Sequence, residues 1–371
     1  MKIISRGIIP KPVDNPHFNS NTFPALTALP SGRWLAAFRT AVKKGDCDFQ
    51  EAVMTYSDDL GKSWSAPYVP FVLPDIDGVP GQCRGLYFLA LGGSKVLAVA
   101  CWVDASDPSL PFYDPETEGL KDTRIFYAFS EDEGLSWTEP QLMDMGKIND
   151  PVPLTGPPMM LKDGTVVCQF EINKHLYDPT KWVHKSALIF SADGGETWRD
   201  PVIVTEVPDM YYWDQRPTVM SDGRTIVDFF WTFDGKSQQY LNIHARESTD
   251  GGRTWGDIWD TGIYGQPGQP ADLGDGRLAL IAIDRSIRPI ITVYISSDRG
   301  RSFDESFVVY DNQIAGQDSV QMDLNAAWAE MAKFSVGHPN LIPIGKDELL
   351  AFYYAGTETD YTSVEFVRLK I

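Results

Sequence analysis

Four carboxylates stand at the edges of apolar, alternating runs, where a side chain is held but not buried by its own run: Asp48, Glu171, Asp214 and Asp284. His338 and Tyr354 occupy comparable places toward the end of the sequence. Arg39, Arg84, Arg216, Arg285 and Arg288, with Gln269, His175 and Trp213, complete the set of side chains suited to gripping a polar ligand. Two carboxyl groups flanking a glycosidic bond, one acting as acid, are the usual equipment of glycoside hydrolysis. Asp214 with Glu171 is the favoured pair, and Arg39, Arg84 and Arg216 would hold a carboxylate or orient hydroxyls through forked hydrogen bonds. A second chemistry fits the same residues. A base can remove the proton beside a carboxylate while a cation steadies the enolate. His338 would be that base, Tyr354 the acid, and Arg39 or Arg84 the clamp. Plainer readings compete. Asp214 with Arg216, and Asp284 with Arg285, could be structural ion pairs, and His338 a hydrogen-bonded structural histidine. A sugar-binding protein without catalysis would keep the arginines and aromatics and need no paired carboxyls.

The elements that must position these residues are announced by one phrase, Ser-x-Asp-x-Gly-x-Ser/Thr-Trp/Phe. It begins at Ser57, Ser130, Ser191, Ser248 and Ser296. The copies recur every roughly 50–70 residues, near the spacing at which a chain builds successive propeller blades. Each follows an alternating apolar run such as Arg124–Phe129 or Ile291–Ile295, which reads as a β-strand. The Asp can accept from turn N–H groups, the Gly supplies positive φ, and the aromatic opens the next strand with a large apolar face. The phrase is therefore a hairpin corner, and its five Asp residues are structural. A second pattern, Pro then a few apolar residues, a turn and a very apolar strand, starts at Pro24, Pro158, Pro217, Pro270 and Pro339, with a looser version from Arg84 to Trp102. Asp-Gly between alternating runs is a strong hairpin signal. Six inner hairpins and five corners predict an all-β, six-bladed propeller of four-stranded antiparallel blades, one domain over 1–371. The last blade would span roughly 338–371, with Lys2-Ile3-Ile4-Ser5 closing the ring so that no long edge strand is left. Val320, Leu324, Ala327, Trp328 and Met331 repeat at helical spacing, so 318–333 is expected to be a helix covering part of the ring. The acidic stretch Asp104 to Asp122 reads as a solvated insertion.

Composition removes several classes. The 371 residues carry a formal charge of −19, against the basic face expected of a nucleic-acid binder. No apolar run is long enough to cross a membrane, and the opening residues lack the apolar stretch of a signal peptide, so a cytoplasmic protein is expected. Cys47, Cys83, Cys101 and Cys168 have no close pair spacing and fit buried thiols better than a zinc site. No phosphate loop, nucleophile elbow or metal-ligand motif is present, so neither a cofactor nor a metal is expected. The sequence is silent on oligomeric state.

The five-fold phrase resembles the Asp box, or BNR repeat, of the sialidase-like superfamily, and the resemblance covers nearly the whole chain. It implies that ligands bind on the face opposite the Asp boxes, at the mouth of the central channel. Heads of the inner strands would bring Thr22, Arg84, Thr155, Asp214 with Arg216, Gln269 and His338 to that mouth. Ends of the second strands would bring Arg39, Glu171, Phe230, Asp284 with Arg285, and Tyr354. The following loops would add Asp48, His175, Tyr177, Arg288 and Tyr361, and the segment entering the fourth blade Tyr211, Tyr212 and Trp213. Sialidases hold the substrate carboxylate with three arginines and use a Tyr–Glu nucleophile pair with an Asp acid/base. Here Thr22 stands where the first arginine belongs, Phe230 where the second would fall, Asp214 in place of the glutamate and His338 in place of the tyrosine. Asp48 lies near the place of the acid/base Asp. The resemblance therefore implies a carbohydrate ligand but not the usual grip on sialic acid. The expectation is a glycoside hydrolase for an oligosaccharide, with a uronic acid lyase and a non-catalytic binder as alternatives.

Overall fold

The computed structural model describes residues 1–11, 18–45, 50–313 and 323–371. Nearly all regular structure is β, in antiparallel sheets whose strands follow one another in sequence. Four sheets are separate propeller blades. The first runs outward from Gly81–Gly92 through Lys95–Asp104 and Thr123–Ser130 to Gln141–Leu142. The next is Met159–Met160, Val166–Ile172, Lys185–Ser191 and Arg199–Glu206. Then come Met210–Val219, Ile226–Asp234, Asn242–Ser248 and Trp259–Tyr264. The fourth places Gln266–Pro267 and Ala271–Asp272 beside Leu278–Asp284, Ile290–Ser296 and Glu305–Asp311.

The strands expected to form the first and sixth blades are instead joined in one seven-stranded sheet. Its order is Gly337–Gly345, Glu348–Glu358, Tyr361–Lys370, Ser20–Ala28, Trp34–Ala41, Gln50–Ser57, with Lys2–Ile9 antiparallel to Tyr361–Lys370. The two halves meet at a single parallel pair, Ser20 with Thr362. The first strand is thus longer than the four residues read from sequence, and it does pair with the last.

Near-continuous apolar runs in the middle strands, such as Trp34–Ala41 and Lys95–Asp104, make each blade apolar on both faces, and successive sheets bury those faces against each other. Leu35 and Ala37 meet Leu86 and Ala98, Val99 meets Val166, and Leu188 meets Ile226 and Phe230. Phe229 meets Leu280, Ile281 meets Leu341, and Trp34 meets Phe352 and Phe366.

The corners behave as expected. In the third copy Gly195 N donates to Ser191 Oγ (2.8 Å), while Thr197 N (2.9 Å) and Thr197 Oγ1 (2.6 Å) donate to Asp193. The same bonds recur around Asp59, Asp132, Asp250 and Asp298. The Thr197 hydroxyl and N–H hold the Asp193 pKa down at about 2. Two segments leave the repeat. The helix Leu324–Met331, capped by Asp323 accepting from Ala326 N, is shorter than the expected 318–333, part of which lies outside the described residues. The segment 105–122 folds back rather than projecting into solvent: Tyr113 stacks on Trp328 at 4.4 Å and donates to Asn325.

Candidate active site

The inner strands are bulged at their heads. Pairing skips from Thr22 to Ala25, from Cys83 to Gly85, from Trp213 to Arg216 and from Gly337 to Asn340. A bulge turns a side chain that regular alternation would bury. The residues released are Phe23, Arg84, Asp214 and His338, and all four line one cavity of about 620 Å3. Phe23, Asp214 and His338 hold positive φ of 52°, 50° and 49°. Such values are uncommon outside glycine and concentrate at functional sites.

A hydrogen-bonded chain runs around the cavity through successive blades. Asp214 N donates to Glu171 Oε1 (2.7 Å), and Glu171 Oε2 lies 3.2 Å from His184 Nε2. Gln266 Nε2 donates to Asp214 Oδ2 (2.6 Å), and Arg285 Nη1 donates to Gln266 Oε1 (2.8 Å). Arg285 also donates twice to Val336 O. Arg216 is buried behind, its Nη2 3.5 Å from Asp214 Oδ1 and its Nη1 on Thr155 O and Gln215 O. Asp228, buried beside Arg216, has its carboxyl pushed well above the usual range by desolvation. The Asp214 side chain keeps 32% of its exposure, so it faces the cavity, whereas Glu171 is 8% exposed and tethers Asp214 from behind.

The cavity is also lined by His338, whose Nε2 is 3.2 Å from the Tyr87 hydroxyl. Burial, then Arg216 and Lys44, hold the His338 pKa well below its ordinary value, so the ring is neutral at neutral pH. If Nε2–H donates to the phenol oxygen, the Nδ1 lone pair is left for a proton. Tyr354 donates to Phe334 O, and burial pushes its phenol up to about 12 despite Arg285. Cations dominate the floor. The Arg84 guanidinium sits 4.0 Å from the Phe112 ring centroid and 5.6 Å from that of Phe23, and its buried Nη1 has no hydrogen-bond partner among the described residues. Lys44 Nζ donates to Met331 O and Phe334 O. Burial, then Arg285, Arg84 and Arg39, drive its ammonium pKa well down. The guanidinium groups of Arg84 and Arg285 thus place positive charge at the cavity of a chain whose formal net charge is −19.

The expected residues therefore divide. Asp214, Glu171, His338, Tyr354, Arg84, Arg285 and Trp213 line the cavity. Arg216 supports it without lining it, and the Asp214–Arg216 ion pair is present. Arg39 is not at the wall: it is buried, with Nε on Gln50 and Nη1 on Lys44 O and Thr22. Gln269 does not line the cavity either, since its amide donates to Pro217 O in the neighbouring blade, and from its own sheet it is Gln266 that lines the cavity. Arg288 is paired with Asp311 on the exterior. His175 contacts Asn149 O and lines a separate surface depression with Asp122 and Asp178. Asp284 accepts from Ser286 N rather than pairing with Arg285, and Phe230 is core. Asp48 lies outside the described residues. The sequence reading missed Phe23, Lys44, Tyr87 and Gln266; the first had a signal in the Phe-Pro step that matches His338-Pro339.

A family model described as the BNR repeat-like domain matches residues 100–365. The chain belongs to that family. Curated protein sequences give no match. The BNR repeat-like chain is similar in fold to a crystal structure of a Dyadobacter fermentans protein of unknown function, with 19% identity over 100% of this chain and 99% of that one and a TM-score of 0.77. It is also similar to the Hadza microbial sialidase Hz136, at 18% identity over 96% of this chain and 66% of that one (TM-score 0.67). For the Trypanosoma rangeli sialidase in complex with sialic acid the values are 14%, 95%, 54% and 0.63. The BNR repeat-like fold is thus that of the sialidases, while the bulge residues here are Phe23, Arg84, Asp214 and His338.

Proposed function

We propose that the protein is a carbohydrate-active enzyme that cleaves the glycosidic bond of a carboxylate-bearing sugar at this cavity. The carrying observation is the juxtaposition of a cavity-facing carboxylate, Asp214, with a neutral histidine, His338, over a floor of Arg84, Arg285 and Lys44. Arg84, stacked between two rings with an unused donor, supports a forked grip on the substrate carboxylate. In hydrolysis, Asp214 gives a proton to the departing glycosidic oxygen. His338 takes one from the water that forms the new C–O bond, and the two residues then exchange protons with solvent. Glu171 serves as the group that fixes Asp214, not as the second catalytic carboxyl. Around the site we infer six blades, with the seven-stranded sheet counted as two whose strands pair only at Ser20–Thr362, and a ring closed by Lys2–Ile9 on Tyr361–Lys370.

The His338–Tyr87 contact favours a second reading. The same base can take the proton beside the uronate carboxylate, and the leaving oxygen then departs with a proton from Asp214 or Tyr354. Oligosaccharides with an internal uronate, glycosylated at O4 and linked onward through C1, separate the two. Hydrolysis adds water and yields a saturated uronate, whereas elimination yields an unsaturated one that absorbs in the near ultraviolet. Absence of both products, with binding retained, would reduce the protein to a sugar-binding propeller.

A further inference from the structure

The cavity has two unlike halves. Its floor is polar and cationic, but its outer wall is supplied by the two segments that depart from the repeat. Pro108, Leu110, Pro111 and Phe112 come from one, and Trp328 and Met331 from the helix, with Ser109 and Asn325 the two small polar residues among them. The segments are fastened together by the Tyr113–Trp328 stack and the Tyr113–Asn325 hydrogen bond, and the helix end is tied to the floor by Lys44 on Met331 O. Trp328 is further fixed edge-on against Trp213, 6.1 Å away. The wall is therefore a built strap across one side of the mouth.

We propose that this wall is a leaving-group subsite for an apolar aglycone, so that the substrate is an acidic monosaccharide conjugated to an aryl or aliphatic alcohol rather than a polymer. The proposal rests on the reading of the floor as a carboxylated-sugar site. A sugar unit in the outer position would bring several hydroxyls against proline, leucine, methionine and aromatic carbon. Hydroxyls buried without partners are costly, and a site that leaves them unpaired discriminates strongly. An aryl or alkyl group meets no such cost and buries Leu110, Phe112 and Trp328.

The test compares glucuronate linked to 4-nitrophenol with glucuronate linked to a neutral hexose, in the full chain and in its Leu110→Asn and Met331→Gln variants. Because 4-nitrophenol is also the better leaving group, the diagnostic readout is the aryl-to-hexose ratio of kcat/KM in the variants relative to the native chain, which each variant is expected to shrink several-fold. Calorimetry with 4-nitrophenol alone and glucuronate alone keeps the two claims apart. Binding of 4-nitrophenol that Leu110→Asn weakens, with glucuronate affinity unchanged, supports the subsite. Glucuronate binding without any 4-nitrophenol binding, or equal turnover of both conjugates, overturns the subsite and leaves the floor reading standing. Binding of 4-nitrophenol without glucuronate overturns the floor reading and leaves the apolar wall. Binding of neither overturns both.

Discussion

The two ends of each blade obey different rules. At the Asp-box end the same residues make the same bonds five times, and every Asp oxygen named there is spent on its own turn. At the channel end the backbone device is shared, a bulge at the strand head, but the released residue differs in each blade: Phe23, Arg84, Asp214, His338. Repetition marks the part that builds the fold. Divergence at an equivalent position gives the cavity its mixed chemistry. The carboxylates make the contrast sharp. Asp193 is held ionised by its turn and does nothing else, while Asp214 faces a cavity of cations.

The comparison can be broken most severely at Asp214. Asp214→Asn is expected to lower kcat by about 10²–10⁴-fold while leaving the melting temperature within a few degrees; kinetics beside a thermal melt checks both. His338→Gln should cost somewhat less, roughly 10²-fold in kcat. Because the His338 pKa is depressed, the ring stays neutral in the folded protein while the unfolded chain takes up a proton near its ordinary value of about 6.5. Activity should therefore persist below pH 6. This histidine's contribution to stability should decline as pH falls through about 6.5, because the unfolded state then binds more protons, and His338→Gln should flatten that limb of a pH-dependent melt. Arg84→Ala should raise KM for carboxylated substrates about 10–100-fold with little change in kcat, and Arg84→Lys should rescue only part of it. The smallest effect on activity should come from the other end. Asp193→Ala is expected to change kcat less than about twofold and to cost about 1 kcal/mol of stability in lost turn bonds. Its folded pKa of about 2 lies below the unfolded value of about 3.9, so its stabilising effect is complete above that value and is lost as pH falls from about 4 toward 2. An acid titration of the variant should lack that component.

The same contrast explains what was legible in the sequence. The propeller could be read because Ser191-x-Asp193-x-Gly195-x-Thr197-Trp198 and its copies encode a local structure with local bonds. Asp214, Glu171, Arg84 and His338 could be placed once the strand heads were known. Arg39 misled because a guanidinium at a strand end looks free in sequence, while here Gln50, Thr22 and a carbonyl of Lys44 consume it. Gln269 misled by three residues, since the irregular strand Gln266–Pro267 gives no alternation from which to count. Lys44, Tyr87 and the wall from Pro108 to Phe112 became visible only in three dimensions, because their partners are distant in sequence: Lys44 with Phe334, Tyr87 with His338, Phe112 with Arg84.

The central claim is that residues released by the bulges grip a sugar carboxylate and move protons beside it. It is tested most directly by the kcat/KM ratio between an aryl uronide and the matching aryl hexoside, which differ only in the carboxylate, measured in the native protein and in Arg84→Ala. The account requires a preference for the uronide of about tenfold or more that collapses in the variant. Equal turnover of the two glycosides, or a preference untouched by the loss of Arg84, would contradict it.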